Sequence, residues 1–146
     1  PFDNVLEMNE IIIDNWNKIV KPTDTIYHLG DFGFGELGYI LKRLNGIKYL
    51  ILGSHDRSIF PYRNLFKDIT LMLEVENIIL CHYAMRVWAR SHYGSFHLFG
   101  HSHNKLPPFG KSFDVGVDGH NFSPWSMEEI KAKMQTLPNN FNLINK

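Results

Sequence analysis

Residues 100–103, with the sequence Gly-His-Ser-His, carry the side chains of this chain that are best suited to chemistry. They follow the apolar run 96–99, which indicates a buried strand that the glycine ends. His101 and His103 are two positions apart, so on a turn just past a strand both imidazoles can converge on one small volume. Neutral imidazole binds divalent transition metals well, so the pair could be part of a metal site. The simpler alternative is that His101 and His103 are two polar loop histidines without a ligand.

Polar groups of related chemistry follow three earlier apolar runs. Asp31 follows the first run after a glycine, residues 54–56 (Ser-His-Asp) follow the second, and His82 directly follows the third. In sheets built from parallel strands, the residues just past the carboxyl ends gather at one edge, where ligands bind. A carboxylate and several imidazoles at such an edge could hold one or two divalent cations.

The elements that must position these groups alternate between strand and helix in the first half of the chain. This order favours parallel pairing with right-handed crossovers. Segments 57–66 and 83–93 are predicted to be loops, the glycines of 32–35 permit unusual backbone angles, and the tail from 139 is predicted to be poorly ordered. The predicted helices are 5–20, 36–45 and 126–136, and the predicted strands are 25–29, 47–52, a hairpin of 69–75 with 77–81, the run from 96 and 112–117.

Length and composition restrict the class of protein. The chain has 146 residues, enough for one domain and too few for two comfortable ones. The formal net charge is zero, so no overall field attracts nucleic acid or an anionic membrane. The single cysteine, Cys81, rules out an internal disulfide, and no signal peptide or membrane span is visible, which makes the cytoplasm the expected location.

In combination, the polar segments resemble four of the five motif blocks of the calcineurin-like metallophosphoesterases. The matching segments are 30–31 (Gly-Asp), 53–56 (Gly-Ser-His-Asp), His82 and 100–103, and their order and intervals also agree. The flanking residues 27–32 and 115–118 resemble the small bacterial and phage members of that superfamily, so the resemblance covers essentially the whole chain.

This resemblance implies a fold and an activity. The fold would be a single domain over residues 1–146, a four-layer α/β/β/α sandwich of two mixed sheets flanked by helices. The activity would be hydrolysis of a phosphomonoester or phosphodiester at a dinuclear metal centre with a metal-bound hydroxide as nucleophile. Mn is the expected metal, with Fe, Zn, Ni or Mg as alternatives. The implied partner is a phosphate-ester substrate, with no membrane, and the oligomeric state stays open.

The resemblance also assigns the metal ligands. Asp31 would bridge two metals, His103 would bind the first metal, and His82 and His101 would bind the second. Ser54 stands where the family has an asparagine whose carbonyl oxygen binds the second metal. A serine hydroxyl is shorter and is a poorer donor, so water would have to fill the gap.

The remaining assignments concern the substrate. His55 would lie over the scissile phosphate, to stabilise transition-state charge or to protonate the leaving oxygen. Asp56 would orient His55 through a hydrogen bond. Arg86, Arg90 and His92 lie between two ligand blocks and could bind the phosphate, which arginine does bidentately. The alternative is a solvated loop whose arginines extend into water.

One motif block of the family is missing. That block, Asp-X-His on the opening strand, does not occur here, and residues 1–3 resemble the sequence that normally follows it. We therefore expect that the first strand is missing, that the second metal site is better preserved than the first, and that the chain is weakly active. A catalytically impaired phosphoesterase-like module for binding or scaffolding is the alternative. A nuclease of the same superfamily is disfavoured by the zero net charge.

Overall fold

Two sets of short strands form the sheets of this structure, a computed structural model that describes residues 2–33 and 37–144. The first sheet contains Thr25–His28 (β1), Ile47–Ile51 (β2) and Asp68–Thr70 (β3), in the order β1-β2-β3 and parallel throughout. The second sheet contains Met72–Val75 (β4), Ile78–Cys81 (β5), Phe96–Phe99 (β6) and Ser112–Asp114 (β7), in that order. In the second sheet β4 is antiparallel to β5, and the other pairs are parallel.

The two sheets share one hydrophobic cluster. Leu29 and Ile51 enter it from the first sheet, and Leu80, Leu98 and Phe113 enter it from the second. Neighbouring side chains along each strand point to the opposite face, which is the ordinary alternation of a strand. The carboxyl ends of β1, β5 and β6 are thereby held close together above this cluster.

Helices cover the outer face of the first sheet and one side of the core. Leu37 and Leu41 pack against Leu50 on the outer face, whereas Ile130 and Met134 join the cluster between the sheets. The predicted α/β sandwich of two sheets flanked by helices is therefore confirmed. In the described residues the helices are Val5–Ile19 (α1), Leu37–Arg43 (α2) and Met127–Gln135 (α3), with 3-10 helices at Arg57–Leu65, Ser91–Tyr93 and Val117–Gly119.

The helix ends agree with their sequence signals. Asn4 caps α1 and Ser126 caps α3, and each side-chain oxygen accepts a hydrogen bond from the backbone N–H three positions on, at 2.8 Å and 3.2 Å. The predicted loop 57–66 contains a 3-10 helix, and the predictions that fall on residues 34–36 lie outside the described residues. In the part of the chain that the structure describes, no helix has the length and apolar character needed to cross a bilayer.

The segment predicted as one strand over 69–75 forms two strands in different sheets, so that prediction was wrong. β3 ends at Thr70 and β4 begins at Met72. Leu71 between them is largely exposed, and the Thr70 hydroxyl donates to the Met72 carbonyl at 3.3 Å. Alternation of apolar residues indicates which side chains of a strand are buried, but it does not indicate which sheet the strand joins. The predicted hairpin with β5 is confirmed.

Asn140 holds the C-terminal tail in place, so the prediction of a poorly ordered tail was wrong for residues 139–144. Its Oδ1 accepts a 2.8 Å hydrogen bond from the Lys111 amide. Its Nδ2 donates to the carbonyls of Ser91 and Ser95 at 2.8 Å and 3.1 Å. The side chain is buried, and its oxygen and its amide nitrogen both have hydrogen-bond partners, as buried polar groups require.

Burial lowers the pKa of two histidines outside the predicted ligand set. His97, in the middle of β6, donates from Nδ1 to the Ile79 carbonyl at 2.9 Å and accepts at Nε2 from the Met85 amide at 3.1 Å. Burial lowers the pKa of His97. His28, at the end of β1, accepts at Nδ1 from the Gly30 amide at 3.2 Å, and burial lowers the pKa of its imidazole to about 4.

We expect acid to destabilise this fold before its carboxylates are protonated. Both histidines have a folded-state pKa below the unfolded value of 6.5, so the unfolded chain binds more protons in that range. The free energy of unfolding should be fully retained above about pH 6.5 and should fall towards pH 4, with at most about 3 kcal/mol lost through His28. Urea titrations between pH 7.5 and 4.5 measure the free energy of unfolding over this range. If a His28→Asn/His97→Gln variant lost stability with pH as steeply as the wild type, the prediction would be contradicted.

Candidate metal centre

Asp31, His82 and His101 meet at the carboxyl ends of three strands. Each of them offers one ligand atom, and these atoms all lie within 4.8 Å of one another. Asp31 follows β1, His82 follows β5 and His101 follows β6, so the group spans both sheets. Two imidazoles and a carboxylate are a donor set that divalent transition metals accept. The structure therefore brings together three of the residues predicted to bind metal.

The tautomer of His82 follows from its contacts. Its Nδ1 lies 2.6 Å from the Leu29 carbonyl oxygen, which can only accept, so Nδ1 carries the proton. The lone pair of Nε2 then points into the site, 3.3 Å from Asp31 Oδ2 and 3.2 Å from His101 Nδ1. The ring is buried and cannot turn away without losing the carbonyl. A hydrogen bond of this kind is what orients a metal-binding histidine.

Asp56 fixes the turn that carries Asp31. Its buried carboxylate accepts hydrogen bonds from three backbone amides, those of Asp31 (2.8 Å), Phe32 (2.7 Å) and Gly53 (2.6 Å). Both oxygens are thereby used to join the loop after β1 to the loop after β2. Asp56 was predicted to orient His55 through a hydrogen bond, and the hydrogen bonds described for its carboxylate go to these amides instead.

Two glycines allow the strand ends to approach one another closely. A Cβ atom on Gly53 would lie 2.5 Å from Asp31 Oδ1 and 2.8 Å from His82 Cε1. Gly30 has a φ of +98°, and a Cβ there would collide with the His82 ring and the Gly53 backbone. The site is therefore packed to the point where no side chain is accommodated at either position.

The loop that carries the two histidines of the Gly-His-Ser-His motif is strained. His101, His103 and Asn104 have φ values of 64°, 50° and 60°, in the left-handed region that costs about 1–2 kcal/mol for a residue with a Cβ. His101 is thereby turned into the ligand group. His103 lies outside that group, and its Nδ1 is 3.1 Å from Asp118 Oδ2. A strand-like alternation would have placed both imidazoles together, and the left-handed turn separates them.

Ser54 and His55 lie on the exposed turn after β2. The backbone amide of His55 donates to Asp31 Oδ1 at 2.9 Å, so this turn is tied to the ligand group. Asp31 is consequently held at Oδ1 and keeps Oδ2 directed at His82. This contact places His55 next to the ligand group, whereas the metal contact of Ser54 stays a prediction.

The three residues predicted to bind the phosphate are dispersed. Arg90 forms an ion pair with Glu74, and its carbonyl accepts a hydrogen bond from the Ser95 amide, which puts it at the amino end of β6, whereas the ligands follow the carboxyl end. The carbonyl of His92, near the same end, accepts the Ile144 amide at 2.9 Å. Arg86 lines a separate groove of about 450 Å³. We therefore assign no phosphate contact to Arg90 or His92.

Tyr83 is a residue of the site that the sequence reasoning missed. Its ring lies edge-on to both His82 (4.8 Å between centroids) and His101 (4.9 Å), and it is about half exposed. Its position directly after His82 is the signal that could have revealed it. A cleft of about 780 Å³ is lined by the ligand group and by apolar side chains such as Leu80 and Leu98.

The residues present fit one divalent cation. His82 offers Nε2, and the atoms of the other two residues that contact this nitrogen are His101 Nδ1 and Asp31 Oδ2. Three protein ligands leave coordination positions for water or substrate, which is the pattern of catalytic rather than structural sites. In the described residues, a second such group around His103 is not found.

Comparison with known proteins supports the fold. No protein-family model matches the chain. The uncharacterised protein MJ1445 of Methanocaldococcus jannaschii is 29% identical over 144 residues, which cover 89% of this chain and 77% of that protein. The crystal structure of AQ665, a protein of unknown function from Aquifex aeolicus, superposes with a TM-score of 0.67 at 24% identity, covering 91% of this chain and 87% of that one. This likeness shows a shared fold.

Proposed function

We propose that the chain is a metal-dependent hydrolase of phosphate esters, with Asp31, His82 and His101 as ligands of a divalent cation. The observation that supports this most directly is the convergence of these side chains, which are far apart in the sequence, within 4.8 Å at the strand ends. The motif order that resembles the calcineurin-like metallophosphoesterases adds the reaction class. The substrate would be a phosphomonoester or phosphodiester.

Bound divalent cations would supply Lewis acidity, which polarises a phosphoryl oxygen and lowers the pKa of a water molecule. Mn is the ion expected from the resemblance, and the mixed donors also suit other metals, since imidazole binds Fe, Zn and Ni and carboxylate oxygen binds Mg. The chain itself supplies the rigid donor set. His82 is fixed by the Leu29 carbonyl, and Asp31 is fixed by the amide of His55 and the carboxylate of Asp56.

His55 is the residue that would act on the substrate. Its backbone amide donates a hydrogen bond to Asp31, and the residue itself is exposed. An imidazole in this position can donate a proton to the leaving oxygen or stabilise negative charge on the phosphoryl group. Arg86 is the one predicted phosphate-binding residue that stays a candidate.

We expect this chain to bind one Mn²⁺ ion tightly and a second one weakly. The first metal site of the resemblance would need His103, which faces Asp118 and lies outside the ligand group. Isothermal titration with Mn²⁺ measures the stoichiometry and both affinities. Two tight sites on this chain would contradict the prediction.

We also expect weak, Mn²⁺-dependent hydrolysis of bis-p-nitrophenyl phosphate. Replacement His55→Ala should lower the turnover about 10²–10⁴-fold, the range for loss of a general acid. His92→Gln, at the other end of β6, is the matched control and should keep the wild-type rate. A His55→Ala variant that hydrolyses the substrate as fast as the wild type would remove His55 from the proposed mechanism.

The alternative is a catalytically impaired module that binds a phosphate ester without turning it over. The exposed serine at position 54, where a stronger ligand is expected, and the separation of His103 from the ligands favour it. Absence of hydrolysis in a protein that still binds Mn²⁺ and inorganic phosphate would select this alternative.

A further inference from the structure

We propose that Asp114 is a positioning residue that fixes the 101–104 loop and so sets the place of the His101 imidazole. Asp114 is the last residue of β7, and it pairs with Phe99, the last residue of β6. The loop with His101 begins directly after that position. The role of Asp114 towards the metal rests on the proposed function, whereas its role towards the loop does not.

The contacts of Asp114 are those of an anchor. Its side chain is 5% exposed. Oδ2 accepts from the Ser102 hydroxyl and from the Asn104 amide at 3.0 Å, and Oδ1 accepts from the Gly116 amide at 2.7 Å. Three donors surround one buried carboxylate, so both oxygens accept hydrogen bonds, and Asp114 is not a member of the ligand group.

A second set of contacts joins the 101–104 loop to the segment that follows β7. The Asn104 side chain donates from Nδ2 to the Gly116 carbonyl at 3.1 Å, which joins the loop to the segment after β7 a second time. A Cβ on Gly119 would lie 2.5 Å from the Asn104 side chain, so this segment is packed tightly against the loop. Asp114 thus holds Ser102 and Asn104, and the left-handed residues of this loop are these anchored positions or their direct neighbours.

The arrangement repeats the one at the other half of the site. Asp56 accepts backbone amides from the turn of Asp31, and Asp114 accepts groups from the turn of His101. Each turn leaves a strand in an unfavourable backbone conformation, and each is held by a buried carboxylate from a neighbouring element. Removal of the carboxylate should therefore let the turn relax and should move the ligand.

The test compares Asp114→Asn with the wild type and with Asp68→Asn. The asparagine substitution at position 114 keeps the size of the side chain but replaces one acceptor by a donor that would face backbone N–H groups. Asp68 lies exposed on β3, where its carboxylate accepts the adjacent Ile69 amide, which makes it a matched control. The readouts are hydrogen exchange of the Asn104 and Gly116 amides in metal-free protein, Mn²⁺ affinity by titration and the visible spectrum of the Co²⁺ complex.

In Asp114→Asn we expect exchange at both amides to rise at least about tenfold, Mn²⁺ affinity to fall about 10–100-fold and the Co²⁺ spectrum to change. Asp68→Asn should match the wild type. Wild-type exchange in Asp114→Asn overturns the proposal. Faster exchange with unchanged Mn²⁺ affinity overturns the link to the metal. If the wild type binds no Mn²⁺, the proposed function fails, and the exchange data alone decide the role of Asp114 in the loop.

A second variant covers the case in which Asp114→Asn does not fold. Ser102→Ala removes one donor from the loop side and leaves β7 intact. It should raise exchange at Asn104 and weaken Mn²⁺ binding severalfold, with a cooperative thermal transition retained. Wild-type behaviour in both measurements would overturn the proposal.

Discussion

Replacement of Asp31 by asparagine should weaken Mn²⁺ binding by at least about 100-fold, because loss of a ligand should exceed the 10–100-fold effect of losing an outer partner. Asp31 carries the negative charge of the ligand group. Its Oδ2 lies 3.3 Å from Nε2 of the buried His82. An asparagine would keep the Oδ1 contact with the His55 amide but would offer a neutral, weaker donor to the cation.

Titration calorimetry with Mn²⁺ measures this change, and hydrolysis of bis-p-nitrophenyl phosphate should be lost in parallel. Asp68→Asn again serves as the control, since it makes the same chemical change away from the site. Mn²⁺ affinity in Asp31→Asn close to that of the wild type would remove Asp31 from the ligand set and would overturn the proposed metal centre.

Replacement of Gly53 by alanine should disrupt the site by steric overlap alone. The added methyl would lie 2.5 Å from Asp31 Oδ1, 2.6 Å from the Asp31 amide nitrogen and 2.8 Å from His82 Cε1. These neighbours are a backbone atom and two immobilised side chains, so the strand ends must separate. We expect a loss of about 1–3 kcal/mol of stability, the range for overpacking, and a loss of tight Mn²⁺ binding.

Gly100→Ala is the matched control for this prediction. The nearest atom to a Cβ at Gly100 is the Leu29 carbonyl oxygen at 3.4 Å, and a small displacement accommodates it. Thermal unfolding and Mn²⁺ titration of both variants separate the two cases. Equal losses in Gly53→Ala and Gly100→Ala would show that close approach of the strand ends is not the cause.

The order of elements could be read from the sequence because hydrophobic alternation and capping signals are local. Strands, helices and the caps at Asn4 and Ser126 follow from residues within a few positions of one another. By contrast, the passage of the chain from the first sheet to the second at Leu71 depends on strand pairing between residues that are distant in the sequence. Likewise Asn140, buried by partners from distant segments, is an ordinary polar residue in the sequence.

The ligands of the candidate site could be predicted from the sequence. The loop conformations and hydrogen bonds that position these ligands could be predicted less well. Asp31, His82 and His101 each follow an apolar run, and the structure brings them together. The positions of His103 and Arg90 depend on left-handed loop residues and on the ion pair with Glu74, and neither feature has a signature in sequence spacing. The contacts of Asp56 to three amides could not be read from adjacency to His55.

The three backbone amides that Asp56 gathers also bear on the choice among ions. They hold the turn of Asp31 against the turn after β2, so this ligand keeps its place whether or not an ion is bound. Calcium prefers longer bonds of about 2.3–2.6 Å and roughly six to eight oxygen neighbours, and a ligand group of two imidazoles and one carboxylate disfavours it. Discrimination against calcium would thus come from donors of which at least one is held in place by the scaffold.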